Sequence, residues 1–299
     1  LKRSRMQAEF NSKGKLENIY ILGIETSCDD TCASVVMNGN TILSNVIASQ
    51  HEIHEKYGGV VPELASRRHI EIIDIIIHEA IIKSGIEIDK INAVAVTNRP
   101  GLVGSLLVGV GAAKAISYSK KIPLIAVNHL KAHLFSNFLI NSDMSGEFIG
   151  LIVSGGHTSL YKVDKDWKVK EIGHTLDDAA GEAFDKIARF LNLGYPGGPV
   201  IDRISKTGDG KKIILPRPMI ESRDLNFSFS GLKTALIYKT KKYPDLLKKD
   251  NIPHLAAAFQ DSIVDVLVEK TFTACKMEGY KKILVSGGVA ANSRLREVF

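Results

Sequence analysis

Val153-Ser154-Gly155-Gly156 and Val285-Ser286-Gly287-Gly288 are near-copies, each closing an apolar run where the chain turns. The runs, residues 148–154 and 282–286, read as buried strands. Working outward from the first copy, residues 158–163 and 167–172 read as two more strands, residues 178–193 as a helix and residues 252–277 as a long helix. The first half has the same order. Residues 19–27 form an apolar strand, and residues 32–37 and 41–48 flank Asn38-Gly39, a hairpin signal because both residues tolerate positive φ. A helix over 67–83 follows, in which Ile70, Ile73, Ile76, Ile77, Ala80 and Ile81 recur at helical spacing. Then come a short strand at 93–97, a small-residue helix at 104–119, a strand at 124–127 and a helix through His133. Two halves that each begin with three strands and then alternate helix and strand predict an α/β protein of two similar lobes with a cleft between them. Ligands of such sheets bind beyond the carboxyl ends of strands.

Composition bounds the rest. The chain has 299 residues, 44% apolar and 24% charged, which excludes a disordered or fibrous chain. Its apolar uncharged run, residues 100–113, is 14 residues, short of the ~20 a membrane span needs, so no membrane association is expected. Three cysteines, Cys28, Cys32 and Cys275, make no disulfide framework and fit a reducing cytoplasm. Residues 1–18 start with Leu, are basic and show no apolar period. They read as a disordered or non-native extension without a secretory leader, with Met6 a candidate start. The expected N-terminal lobe is 19–146 and the C-terminal lobe 147–299, the latter ending inside a helical pattern and hence read as truncated. Residues 203–250 carry twelve Lys and Arg against five Asp and Glu, a net +7 in a chain of net +6. Such a basic helical segment is either a solvated face or the footprint of a polyanion such as a nucleic acid.

The chemistry-bearing residues cluster at the predicted turns. Ser154-Gly155-Gly156-His157-Thr158 is either a tight hairpin or a turn whose amides and hydroxyls meet an anion, and Ser286 to Asn292 repeats the choice at a helix start. Tyr195-Pro196-Gly197-Gly198-Pro199 reads as a turn after a helix, either a plain helix stop or a close backbone approach to a ligand, and Asp202 as a ribose hydroxyl acceptor. His129 and His133, four apart, share a helix face, either as metal ligands or as two surface histidines. Leu130 stands where a metallopeptidase has its Glu. Asp29 and Asp30 end the first strand, and Glu182 and Asp185 share a helix face or pair with Lys186 or Arg189.

Gly23 to Thr31, Tyr57 to Arg67, the two histidines, Ser154 to Thr158, Asp177 to Asp185, Tyr195 to Pro199, Phe227 to Thr234 and Gly287 to Asn292, in this order, closely resemble the bacterial TsaD (YgjD/Gcp) family. The resemblance implies the actin/Hsp70/sugar-kinase (ASKHA) fold, two duplicated ribonuclease-H-like lobes. It also implies transfer of threonylcarbamoyl from threonylcarbamoyl-AMP to N6 of the adenine 3′ of the anticodon in tRNAs reading A-starting codons. It places one divalent metal ion, iron or zinc, on His129 and His133, with a third ligand, an Asp, beyond Phe299. It places the adenylate (or ATP, ADP or AMP in the same site) on Ile152, Val153, Ser154, Gly155, Gly156, Asp185, Gly198, Asp202 and Asn292. The expected partners are tRNA, TsaB-like and TsaE-like proteins and a TsaC-like enzyme that supplies the donor. Lys131-Ala132 between the histidines and Arg99 before Pro100 depart from the family pattern. Asp29 or Asp30 is the candidate catalytic group that orients the amine or takes its proton. The alternatives are an ATP-hydrolysing kinase-like enzyme, an O-carbamoyltransferase, and a non-catalytic subunit of the same fold, which would lack the histidines.

Overall fold

A computed structural model describes residues 18–57, 59–139 and 146–299. The extension expected over residues 1–18 lies outside the described residues, Asn18 excepted. The chain forms two compact units. One comprises the described part of Leu1–Ala132 and of Phe138–Ser142, the other His133–Asn137 and the described part of Asp143–Phe299.

In the first unit, β1 (Tyr20–Glu25), β2 (Asp30–Met37), β3 (Thr41–Ser49), β4 (Ala93–Arg99) and β5 (Leu124–Asn128) form a sheet of order β3-β2-β1-β4-β5. β1 runs antiparallel to β2 and parallel to β4. The β2–β3 hairpin turns at Asn38 and Gly39, with φ of 55° and 81°, as their residue types require. After the short helix α1 (His51–Glu55), α2 (Pro62–Ser84) and α3 (Val103–Lys120) cross between parallel strands, and α4 (His129–Phe135) follows β5. α2 begins five residues earlier than its apolar period predicts. Pro62 sits in the first turn, where its fixed φ suits a helix start and its missing N–H has no intrahelical partner to lose. Gly85, left-handed at φ 69°, stops it. Its buried face is Ala65, His69, Ile72, Ile76, Ile77 and Ala80, whereas Ile70 is exposed. A helix this rich in isoleucine is apolar on more than one face, so spacing alone does not select the buried stripe.

In the second unit, β6 (Phe148–Val153), β7 (Thr158–Val163) and β8 (Val169–His174) are followed by α5 (Ala180–Phe190), α6 (Gly197–Ser205), α7 (Ser230–Lys242) and α8 (Ile252–Glu278). β9 (Ile283–Ser286) and α9 (Ser293–Val298) complete it. The sheet order is β8-β7-β6-β9, with β6 antiparallel to β7 and parallel to β9. This repeats the pairing of β1 with β2 and β4, so the two units are copies of one topology. α6 starts inside Tyr195 to Pro199, which the sequence presents as a turn. β6 is buried along its whole length, which its unbroken apolar run requires of a central strand. Among the described residues, no helix is long and apolar enough to cross a membrane.

The second core is built on Phe184, Phe227, Phe229 and Phe259, all fully buried. Phe184 of α5 meets Phe259 of α8 edge to face, ring centroids 5.8 Å apart. Truncation of Phe184 to Ala removes this contact and leaves a void in a rigid core. It is expected to cost about 3–5 kcal/mol, read as a fall in the urea midpoint.

Candidate functional site

The first cluster lies where β1 ends. Glu25, the last residue of the strand, collects three donors. The Ser27 amide donates to Oε1, the Thr97 hydroxyl donates to Oε2 at 2.5 Å, and His129 Nδ1 stands 3.1 Å from Oε2. A carboxylate only accepts, so Nδ1 carries the hydrogen and the lone pair of this imidazole is on Nε2. Ser27 Oγ lies 3.2 Å from the same Nδ1. His133 follows one turn later on α4.

The backbone beyond Glu25 is fastened from α3 and its approach. Leu102 N–H donates to the Ser27 carbonyl at 2.8 Å, and the Thr26 hydroxyl donates to the Ser105 carbonyl at 2.8 Å. A Cβ on Gly101 would stand 2.5 Å from the Ser27 oxygen, so this approach admits only glycine. Asp29 is half-buried and Asp30 exposed at the start of β2. Loss of hydration and the neighbouring Asp29 and Asp30 carboxylates push the Cys28 and Cys32 thiols up to about 12. Among the described residues, no group of three or more His, Cys, Asp or Glu comes together to hold a metal ion.

The second cluster is in the other unit. After β6, the Ser154 amide donates to the His157 carbonyl at 2.8 Å, and the His157 amide to Ser154 Oγ at 3.1 Å. α5 begins against this turn, with Gly181 N–H donating to the Ser154 carbonyl at 3.2 Å. Gly197 N–H, opening α6, donates to Asp185 Oδ1 at 2.7 Å. Burial raises the Asp185 carboxyl, and this bond opposes the rise. Two kinds of glycine result. A Cβ on Gly181 or Gly197 would fall 2.5 or 2.6 Å from backbone, and one on Gly287 would strike the Val153 carbonyl. Gly155, Gly156, Gly198 and Gly288 instead have nothing within 4 Å of a would-be Cβ. Packing accounts for the first kind only. Open space over amide-rich turns is what an incoming anion requires.

The structure therefore joins Val153, Ser154, Gly155, Gly156, Asp185 and Gly198 around the turns that follow β6 and α5. Ile152 is buried in β6 itself. Asp202 and Asn292 belong to a neighbouring network. Asp202 Oδ1 accepts from the Ser293 amide and hydroxyl. Asn292 caps α9 through Leu295 N–H and donates to Gln260 Oε1 at 2.7 Å. A cavity of about 340 Å³ adjoins them, lined in part by Ser205, Gln260, Asp261, Ser293 and Arg294. Glu182 pairs with Lys186 at 2.8 Å, as the structural alternative for that helix expects. Sequence reasoning gave Glu25 no role and placed Ser286 only as a member of the second glycine turn. Ser286 Oγ is buried without a partner among the described residues, beside the second glycine turn. Its place in the duplicated Val-Ser-Gly-Gly was the available signal.

The sequence model of the family TsaD, tRNA N6-adenosine threonylcarbamoyltransferase, matches residues 41–299. The tRNA N6-adenosine threonylcarbamoyltransferase of Syntrophus aciditrophicus is 53% identical over 281 residues, 94% of this chain and 82% of the relative. That of Thermotoga neapolitana is 50% identical over 277 residues, covering 93% and 83%. Among solved structures, HypF of T. kodakarensis aligns with TM-score 0.61 at 12% identity, covering 93% of this chain and 43% of that one. The (R)-2-hydroxyglutaryl-CoA dehydratase component A of Acidaminococcus fermentans aligns with TM-score 0.55 at 14% identity, covering 93% and 86%. These two likenesses concern the fold, which is the duplicated ASKHA type.

The Glu25 contacts fix a sign for pH dependence. Burial raises its carboxyl, but the bonds from His129, Ser27 and Thr97 outweigh burial and hold it at about 2, below the ordinary 4.5. A depressed carboxyl stabilises fully above the unfolded value and loses this as pH falls through the folded one. Glu25→Gln is expected to destabilise by about 2 kcal/mol at pH 7, with the gap to wild type closing between pH 5 and 2 in urea titrations. An equal gap at both ends would contradict the assignment.

Proposed function

The chain belongs to the TsaD family of tRNA N6-adenosine threonylcarbamoyltransferases, and from that premise we propose which of its residues perform each part of the reaction. The family's reaction places a threonylcarbamoyl group on N6 of a tRNA adenosine; in this proposal the donor is threonylcarbamoyl-AMP and the acceptor the adenine 3′ of the anticodon. N6 attacks the carbamoyl carbon, the bond to the phosphate oxygen breaks, AMP leaves and a proton departs from N6. The acceptor is a weak nucleophile and the donor a reactive anhydride, so the protein's work is orientation and charge stabilisation.

The open glycine turns carry this reading. Gly155, Gly156 and Gly198 offer the donor's phosphate uncrowded backbone, and Ile152, Val153 and Ser154 lead into and hold the turn. Asp185, Asp202 and Asn292 frame the nucleoside side. The buried hydroxyl of Ser286 is a further donor for that phosphate. Asp29 or Asp30, where the loop after β1 enters β2, receives the N6 proton.

His129 and His133 fit a divalent metal, iron or zinc. The Glu25 bond to His129 Nδ1 fixes the tautomer that would leave Nε2 to hold the ion, and raises its basicity. When bound, such an ion supplies Lewis-acid polarisation of phosphate or carbonyl oxygen.

The exposed lysines of the segment 203–250, among them Lys241, Lys242 and Lys249, bind the tRNA backbone. TsaB-like and TsaE-like proteins are the working partners, a TsaC-like enzyme supplies the donor, and the cytoplasm is the compartment.

The deciding experiment is nucleoside mass spectrometry of tRNA incubated with threonylcarbamoyl-AMP, the partner proteins and this protein. Asp29→Asn or Asp30→Asn is expected to lower product formation by about 10²–10⁴-fold, with AMP binding unchanged. Equal loss of AMP binding would refute the acid–base role. Replacing Lys241, Lys242 and Lys249 by Ala should reduce the slope of log tRNA affinity against log salt by roughly 2–3. An unchanged slope would place the tRNA elsewhere.

A further inference from the structure

His69 is the fully buried histidine of α2, one turn beyond Ala65. Its Nε2 lies 3.0 Å from the Cys28 carbonyl. Its Nδ1 lies 2.7 Å from the Thr31 hydroxyl and 3.5 Å from Gln50 Nε2. A carbonyl only accepts, so Nε2 carries the hydrogen and Nδ1 accepts from Thr31. Cys28 and Thr31 are the residues immediately before Asp29 and immediately after Asp30. One imidazole thus grips the chain on both sides of the carboxylate pair.

The imidazole is itself held. Val61 N–H donates to His54 Nδ1 at 3.3 Å, so His54 Nε2 carries a hydrogen and donates to Gln50 Oε1 at 3.2 Å. This orients the Gln50 amide with its NH₂ towards His69 and the Ala65 carbonyl, the latter 3.4 Å away. Gln50 and His54 are both buried. Each tautomer and the amide orientation follow from one consistent assignment, with the donors and acceptors of all three side chains matched. Packing requires no such arrangement. An apolar residue at position 69 would fill the space and leave the Cys28 carbonyl and the Thr31 hydroxyl without these bonds.

We infer that His69 is a positioning residue for the transfer reaction: through Cys28 and Thr31 it sets the location of Asp29 and Asp30 relative to the reacting amine. The inference rests on the acid–base reading of that pair. A misplacement of about 1 Å in such a group costs on the order of 10²-fold in rate.

Two variants of the full chain test it. His69→Phe keeps a ring and removes both nitrogens. Thr31→Val removes one hydroxyl at near-constant shape, and serves if the first variant does not fold. Each is expected to slow single-turnover transfer, donor and tRNA saturating, by about 10²-fold. AMP affinity and tRNA KM should stay within about twofold, and the double variant should be no slower than His69→Phe, since both remove one interaction. Hydrogen exchange should rise at residues 28–31 and not in β6. A single-turnover rate within about threefold of wild type, a matching loss of AMP affinity, or unchanged exchange at 28–31 overturns the inference. Asp29→Asn and Asp30→Asn run alongside. If both keep the wild-type rate, the acid–base reading fails, and exchange at 28–31 alone decides whether His69 holds the chain there.

Discussion

The carboxylate of Glu25 is the constraint on which the first unit's chemistry depends. It ends β1, takes a hydroxyl from β4, an amide from its own turn and an imidazole from α4. One half-buried anion thereby registers two parallel strands, the loop between β1 and β2, and the helix that carries both histidines. Removing a group that satisfies several donors at once leaves each of them unpaired, which is why such networks hold more firmly than their separate bonds suggest. The loop that follows is then pinned twice more, by the α3 side through Ser27 and by the α2 side through His69.

The second unit solves the same problem with backbone instead of charge. Its turn after β6 is held by its own hydroxyl and by α5 packed against the Ser154 carbonyl. Duplicated topology therefore does not mean duplicated chemistry. The position that holds the acid Glu25 at the end of β1 corresponds in β6 to Val153, the last residue of its strand. Charged side chains collect after the first strand, and open glycine turns after its counterpart.

Much of this was legible in the chain. The apolar runs ending in Val-Ser-Gly-Gly identified β6 and β9, and Asn38-Gly39 fixed the β2–β3 hairpin, because these signals rest on local backbone preferences. Repeat order was legible for the same reason, and the shared strand pairing bears it out. The start of α6 was hidden, since Pro196-Gly197-Gly198-Pro199 carries turn residues that the Asp185 carboxylate recruits into a helix start from twelve positions away. The buried stripe of α2 was hidden by its excess of isoleucine. Glu25 and His69 were passed over because their roles come from partners 72 and 41 residues distant. Spacing along one element says nothing about such pairs.

The two kinds of glycine carry a consequence for how this sequence can vary. At Gly181, Gly197 and Gly287 a methyl group meets backbone that cannot withdraw, so those positions are closed to drift whatever the protein binds. Gly155, Gly156 and Gly198 have neither the left-handed backbone nor the crowding that would forbid alanine. The fold alone would let them wander. Glycine retained at these three sites across a lineage would measure selection by the ligand itself, and alanine appearing there would mark a lineage that keeps the architecture after giving up its chemistry.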